Sequence, residues 1–515
     1  MKILYILLFS LSLLLCAQEV RAQTPTLNQF FGKNGIDSGR SGSTINHNIY
    51  SLDPPGYPRG VTAGSLIVVS GVWPDSYGGC GSHCLPTFTD NHSSPETLSP
   101  VFSTSAPCED ARGHDHGIYY DANVPSDVNT VTEAHSSLFS DSYWNISNWY
   151  NVAASNIVGG SSCTTGNTGP NISGTSFSTT AGSIVYVEVD DEDGLVVGNK
   201  FTSISVPSGC TVLQENTYQG HIELYCSTSG GTFTPSVTIN QGTHDTFTIM
   251  AVEFKGGSGG SPPGIGTAVL LSGQDFTGAG ATYTRNVGCP TGTSTVVVTD
   301  DASYITAVSD SGDGNSGAFT HVTPGGGPSS IWYKLGTSIS NPNNYKISVT
   351  TPGGGYDLIT VYCLNATGID TGVKAGANTS IVTPGTVYAY VNESGGGGLG
   401  TYANLPTLTP GLPGDLLIIS GSSGVGPVLN CTMLPGCVND FPAPVALANI
   451  TAGDADDYTN GDAGGHFWES GTAQASFTWT MQNNGASTSM VVTAFYLGGT
   501  SSPPAAPTNV QVSVR

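Results

Sequence analysis

Positive charge is the scarcest property of this chain. Lysine and arginine together number 13 in 515 residues, against 37 aspartates and glutamates, for a net charge of -24 at pH 7. Such a surface repels phosphate backbones and anionic headgroups, which excludes nucleic acid and anionic membranes as partners. Long apolar runs are also missing: beyond the first 22 residues no stretch approaches the roughly 18 apolar residues of a membrane span. Charged residues of both signs make up only 10%, while glycine (70) and proline (31) abound, a mix that excludes long helices. Disorder is excluded in turn, because 38% hydrophobic and 9% aromatic residues can fill several small cores.

What is present reads as strands and turns. Ser, Thr, Val and Tyr are plentiful, and the length exceeds what one core supports. The fold expected is all-β, with about four tandem antiparallel β-sandwich modules, immunoglobulin-like or jelly-roll, after a signal peptide. Lys2, the apolar run Ile3–Leu15 and the A-x-A-like Val20-Arg21-Ala22 mark residues 1–22 as that signal. Residues 23–48 read as a leader with little pattern beyond Phe30-Phe31.

Three landmarks recur in order: a Gly-led aliphatic strand, a central aromatic strand and a closing strand. Ala63-Gly64-Ser65 opens onto Leu66–Val69, Ala181-Gly182-Ser183 onto Ile184–Val187, Gly292 precedes Val296–Val298, and Pro413-Gly414-Asp415 precedes Leu416–Ile419. Gly-His marks three of the centres, at His114, His221 and His466. The starts are roughly 110–120 residues apart, a usual domain spacing. The modules then span 49–155, 156–255, 265–370 and 371–500, with a Gly/Ser/Pro linker at 256–264 and a Pro-rich tether and orphan strand at 501–515.

Export makes the cysteines disulfide candidates. Of 11, Cys16 leaves with the signal, and ten remain. Cys210 with Cys226, Cys289 with Cys363, and Cys431 with Cys437 fall inside single modules. Cys80, Cys84, Cys108 and Cys163 remain, with three connectivities open. A transition metal on Cys80, His83, Cys84, Cys108, His114 and His116 competes with that reading, since two histidines at i and i+2 share a strand face. The oxidising compartment favours disulfides.

Acidic turns invite calcium. Asp190, Asp191 and Asp193, and Asp310 with Asp313, cluster the oxygens that calcium needs, although no loop has the full spacing ending in a bidentate Glu. The bland alternative is a solvated turn that blunts strand edges. Trp73 and Tyr77, in VWPDSYGG, are the candidate surface aromatics for stacking on a sugar. Sequons at Asn91, Asn145, Asn171, Asn365, Asn378, Asn392, Asn430 and Asn449 are glycosylation candidates. No catalytic residues are assigned and no enzyme is expected: the G-x-S-x-G string at Gly256–Gly260 lies in the linker, away from any strand-to-helix elbow.

The AGSLIVV and AGSIVYV openings, the Gly-His-aromatic centres and the tail PPAAPTNVQVSVR resemble the tandem β-sandwich repeat proteins of bacterial surfaces, of the adhesin or extracellular filament-subunit type. The tail also resembles the first strand of a fibronectin type III domain. The resemblance implies a secreted or cell-surface structural or adhesive protein that self-associates or binds other surface proteins. Val510, Val512 and Val514 alternate with polar residues and suit donation of a strand to a neighbour's sheet. The alternative is a calcium-assisted carbohydrate-binding surface protein, with glycans as ligands.

Overall fold

The opening strands Ser65–Pro74, Phe177–Asp191, Thr295–Asp300 and Leu416–Ser423 each lie between their own central and closing strands. Val68 faces Tyr120 on His114–Val124 and Ser147 on Tyr143–Tyr150. Tyr186 faces Tyr225 on His221–Phe233 and Val252 on Thr246–Phe254. Val298 faces Trp332 on Ser330–Leu335 and Val361 on Asp357–Asn365. Ile418 faces His466 on Asp462–Glu469 and Thr493 on Thr488–Tyr496. Each of these eight pairings is antiparallel. A further strand flanks each closing strand: Thr26–Lys33, Val158–Thr168, Val269–Gly278 and Tyr388–Glu393. The repeated order of landmarks is therefore a repeated order of neighbours.

This computed structural model describes residues 23–33, 45–51, 61–74, 85–128, 130–135, 143–192, 201–216, 220–241, 246–257, 269–278, 282–287, 289, 292–300, 305–315, 317–321 and 330–351, and beyond them strands between 357 and 496. The expected signal peptide, the linker beyond Gly257 and the tail with Val510, Val512 and Val514 lie outside the described residues. Among the described residues no helix is long and apolar enough to cross a membrane.

The Ala-Gly-Ser openings have a local cause. Gly64 and Gly182 sit at φ 80° and 79°; Gly182 is the extra residue of the register shift between Ala181 and Ser183, whereas at Ser65/Leu66 the extra residue is Asn123 of the facing strand, at φ 63°. A bulge that needs a left-handed residue selects glycine at 182 and asparagine at 123.

Four tandem sandwich modules, whether immunoglobulin-like or jelly-roll, are not what forms. The sheets are small ones set in a five-blade, propeller-like ring. The physical reason lies in the opening strands. A free-standing sandwich leaves one face of each sheet in water, so its strands alternate apolar and polar. Here Leu66, Ile67, Val68 and Val69 are all fully buried, as are Ile184, Val185 and Tyr186. Strands apolar on both faces need cover on both sides. Val185, Val187 and Val189 pack with Phe201, Val237 and Ile239 of a three-stranded sheet, whereas Ile184 and Tyr186 pack with Leu66, Val68 and Trp149 of the preceding unit.

The expected leader is one of the joins. Thr26–Lys33 pairs antiparallel with Tyr143–Tyr150 and parallel with Val269–Gly278, which makes one continuous sheet of parts from the first and third units. Gly257 N–H donates to Asn151 O at 2.9 Å, so the start of the expected linker is held against the first unit.

Disulfides complete the welding. Cys210–Cys226 and Cys289–Cys363 form as paired by the sequence. Cys108–Cys163 resolves part of the open set by joining the first unit to the second. Cys80, Cys84 and Cys431 lie outside the described residues, and Cys437 is described by its backbone alone, in the strand Cys437–Val438. The Cys289–Cys363 bridge spans 74 residues. Its replacement by two serines is expected to cost about 4 kcal/mol through the entropy of the opened loop. Denaturant unfolding measures this, and a loss below about 1 kcal/mol would mean that the loop is constrained without the bond.

Candidate functional site

Alternation along Phe177–Asp191 places Ile184, Tyr186, Glu188 and Asp190 on one face. That face meets the first unit, and it changes from apolar to ionic along its length. Ile184 and Tyr186 lie against Leu66, Val68, Ile118 and Trp149. Further along, Glu188 and Asp190 lie near His116, His221, Glu223, Ser70 and Asn145, all buried. The acids expected in a solvent loop are thus partly a continuation of the strand. Asp191 N–H donates to Gly220 O at 3.1 Å and Glu192 N–H to Thr246 O at 2.8 Å, which holds this end in place.

Asp190 is the hub. It accepts from His116 Nδ1 at 3.2 Å and from His221 Nδ1 through its other oxygen. His116 Nε2 lies 3.4 Å from Asp110 Oδ2, which also accepts from His114 Nδ1 at 2.7 Å. Asp110 Oδ1 accepts the backbone N–H groups of Arg112 and His114 at 2.8 and 3.0 Å, a short turn that aims its other oxygen at the imidazoles. On the far side, Tyr186 OH and Ser70 Oγ both donate to Glu223 Oε1.

Burial opposes charge throughout, and the partners decide which groups keep theirs. Burial lowers the His116 pKa, but the hydrogen bonds and charges of Asp110 and Asp190 outweigh it and raise it to about 9. His221 shifts upward on the same balance, burial against Asp190. Burial works against the Asp190 carboxylate too, yet His221 and His116 hold it well below the usual carboxylate range. Glu188 has weaker help: burial and the negative charges of Asp190 and Glu223 push it well above its ordinary value against the pull of Ser70. Burial pushes Glu223 up to about 7 against the pull of His221, Ser70 and Tyr186. The arrangement stores protons and negative charge in a sealed space. It can hold a cation, but no substrate reaches groups this buried.

The other predicted residues are placed as follows. Asp191 is buried, and Asp193 lies outside the described residues. Lys334 Nζ takes the place of calcium between the next acids, 2.9 and 2.8 Å from the two Asp310 oxygens and 3.0 Å from Asp313 Oδ2. Trp73 is fully buried, stacked edge-on against Tyr119 and tilted against Phe88, and its Nε1 donates to Glu133 Oε1 at 2.7 Å. It is a core residue and offers no surface to a sugar; Tyr77 lies outside the described residues. Cys108 is disulfide-bonded, which removes it as a thiolate ligand, while His83 lies outside. Among the sequons, Asn91 and Asn171 are exposed. Asn145 is fully buried, with Nδ2 2.8 Å from His221 Nε2, so the folded chain cannot carry a glycan there. Asn365 and Asn392 are described by backbone alone, and Asn378, Asn430 and Asn449 not at all.

Sequence reasoning missed Glu188, Glu223 and Ser70. A signal existed: in SIVYVEVD and GHIELY, charged residues fall two positions from a core aromatic, hence on its face. What the strings do not contain is that these two faces meet a third from 70 residues or more away, at Ser70, His116 and Asn145.

No family model matches this chain, and no curated protein matches it. Among solved structures, a biofilm-associated protein's BSP domain aligns over 90% of this chain and 94% of that one, at 10% identity and a TM-score of 0.13. A likeness that low carries no argument about fold or function.

Proposed function

We propose that this chain is an exported structural or adhesive protein of the cell surface or extracellular space. The observation that supports this reading is the welding of its units. The first and second share a buried face and the Cys108–Cys163 bond, and the first and third share a continuous sheet. Disulfides persist in oxidising compartments, and a body stapled in this way resists unfolding and proteolysis outside the cell. The acidic surface keeps it soluble there.

Assembly, in this reading, runs through the tail. Residues Thr508–Arg515 add as a strand to an open sheet edge of the next copy, and head-to-tail contacts of this kind grow into filaments when they do not close. Deleting Ser501–Arg515 is expected to abolish polymers seen by electron microscopy while leaving the melting temperature of the monomer unchanged. Polymers of unchanged length, or a full-length protein that stays monomeric in its native setting, would rule the assembly out. The carbohydrate-binding alternative loses its support with the burial of Trp73 and the presence of Lys334 between Asp310 and Asp313.

A further inference from the structure

We propose that Glu188, His221 and Glu223 hold a divalent transition-metal ion of the zinc class, inside the junction between the first and second units. Each offers one ligand atom, and the three atoms lie within 4.8 Å of one another. Donors around a tetrahedral zinc at 2.0–2.2 Å are about 3.3–3.6 Å apart, so contraction by roughly 1 Å closes the set.

A second observation points the same way. Glu188 is fully buried, and neither of its carboxyl oxygens has a hydrogen-bond partner of ordinary geometry; Glu223 Oε2 is in the same position. Buried carboxylates are otherwise paired, hydrogen-bonded or bound to metal. The donor set selects the ion. Two carboxylates with an imidazole suit zinc or manganese, whereas calcium and magnesium take oxygen ligands almost alone.

The surroundings fit as well. Asp190 accepts from His221 Nδ1, which fixes the tautomer and leaves Nε2 as the ligand atom. A carboxylate behind a metal-binding imidazole is the usual supporting arrangement. Asn145 Nδ2, 2.8 Å from Nε2, must give way; its own Oδ1 is buried without a partner and can turn toward the ion as a fourth donor. Such an ion would clamp the opening strand of the second unit to its central strand, directly beneath the first unit. The inference does not depend on whether the chain forms filaments.

The test uses the mature chain secreted into medium containing Zn²⁺ or stripped of it. Elemental analysis after gel filtration is expected to find about one zinc per chain. The Glu188→Gln/Glu223→Gln double variant should retain less than about a tenth of that. Glutamine keeps the shape and removes the buried carboxyls, so the two readings differ in sign. With a metal site, zinc-grown wild type melts above the double variant, and chelation during unfolding and refolding abolishes the difference. Without one, the double variant melts at or above wild type, because the buried Glu188 carboxyl and the unpartnered Glu223 Oε2 are replaced by neutral amides. Zinc-free wild type, zinc content unchanged in the variant, or binding of Ca²⁺ in preference to Zn²⁺ each overturns the proposal. The wild-type measurement decides the matter even if the double variant fails to fold.

Discussion

Replacing Asp190 by alanine should destabilise the first two units by about 3–5 kcal/mol, the range seen when one partner of a buried ion pair is removed. Asp190 is 2% exposed and is the anion between His116 and His221. Without it, two buried imidazoles lose their shared acceptor, and each raises the cost of charging the other. Asp190→Asn keeps an acceptor oxygen and should lose less. The dependence on pH distinguishes this from a cavity effect. His116 titrates near 6.5 when unfolded and about 9 when folded. A raised histidine contributes stability that is complete below the unfolded value and is lost as pH rises through the folded one. The penalty of Asp190→Ala should therefore be larger at pH 6 than at pH 10 in denaturant titrations. A penalty below about 1 kcal/mol, equal at both, would show that the charges on this face do not matter.

Lys334→Met is expected to cost the third unit a similar amount, about 3–5 kcal/mol. The ammonium is 1% exposed and fully engaged: Asp310 accepts from it at 2.9 and 2.8 Å, Asn315 O at 2.7 Å, and Asp313 Oδ2 lies 3.0 Å away. Tyr345 OH donates to the same Asp310 at 2.9 Å, and Asp313 Oδ1 accepts the N–H groups of Asn315 and Ser338 at 3.1 and 2.7 Å. Methionine fills the space of the stem but leaves two carboxylates facing each other with no counter-charge. Adding Asp310→Asn to Lys334→Met should recover part of the loss, since a neutral amide tolerates the desolvated position better. The same experiment tests calcium at this loop. With lysine as the cation, a chelator leaves the wild-type unfolding midpoint unchanged. A chelator effect as large as that of Lys334→Met would restore the calcium reading.

The sequence alone determined the strand class, the repeat and two of the disulfides. These are local or short-range properties. A β-branched run bounded by glycine reads as a strand, Gly182 supplies a left-handed bulge, and Cys210 and Cys226 stand opposite each other across neighbouring strands. The order of opening, central and closing strand could be read because neighbours in the sheet are near neighbours along the chain.

Only the tertiary structure decided what covers the second face of each strand. A period of two says that Ile184 and Tyr186 share a side, but both sides of that strand are apolar, and no local pattern says which partner meets which side. The same gap explains why tandem sandwiches were expected and a ring of small sheets formed, and why Thr26–Lys33 passed for a leader: its partners lie at Tyr143–Tyr150 and Val269–Gly278. It explains the acids as well. By themselves Asp190 and Asp191 look like a solvated turn, because a carboxylate is buried only where something pays its desolvation cost. For Asp190 that compensation is His116, 74 residues away in sequence, as well as His221. Charge placement inside a fold is set by partners that the chain brings together only when it closes.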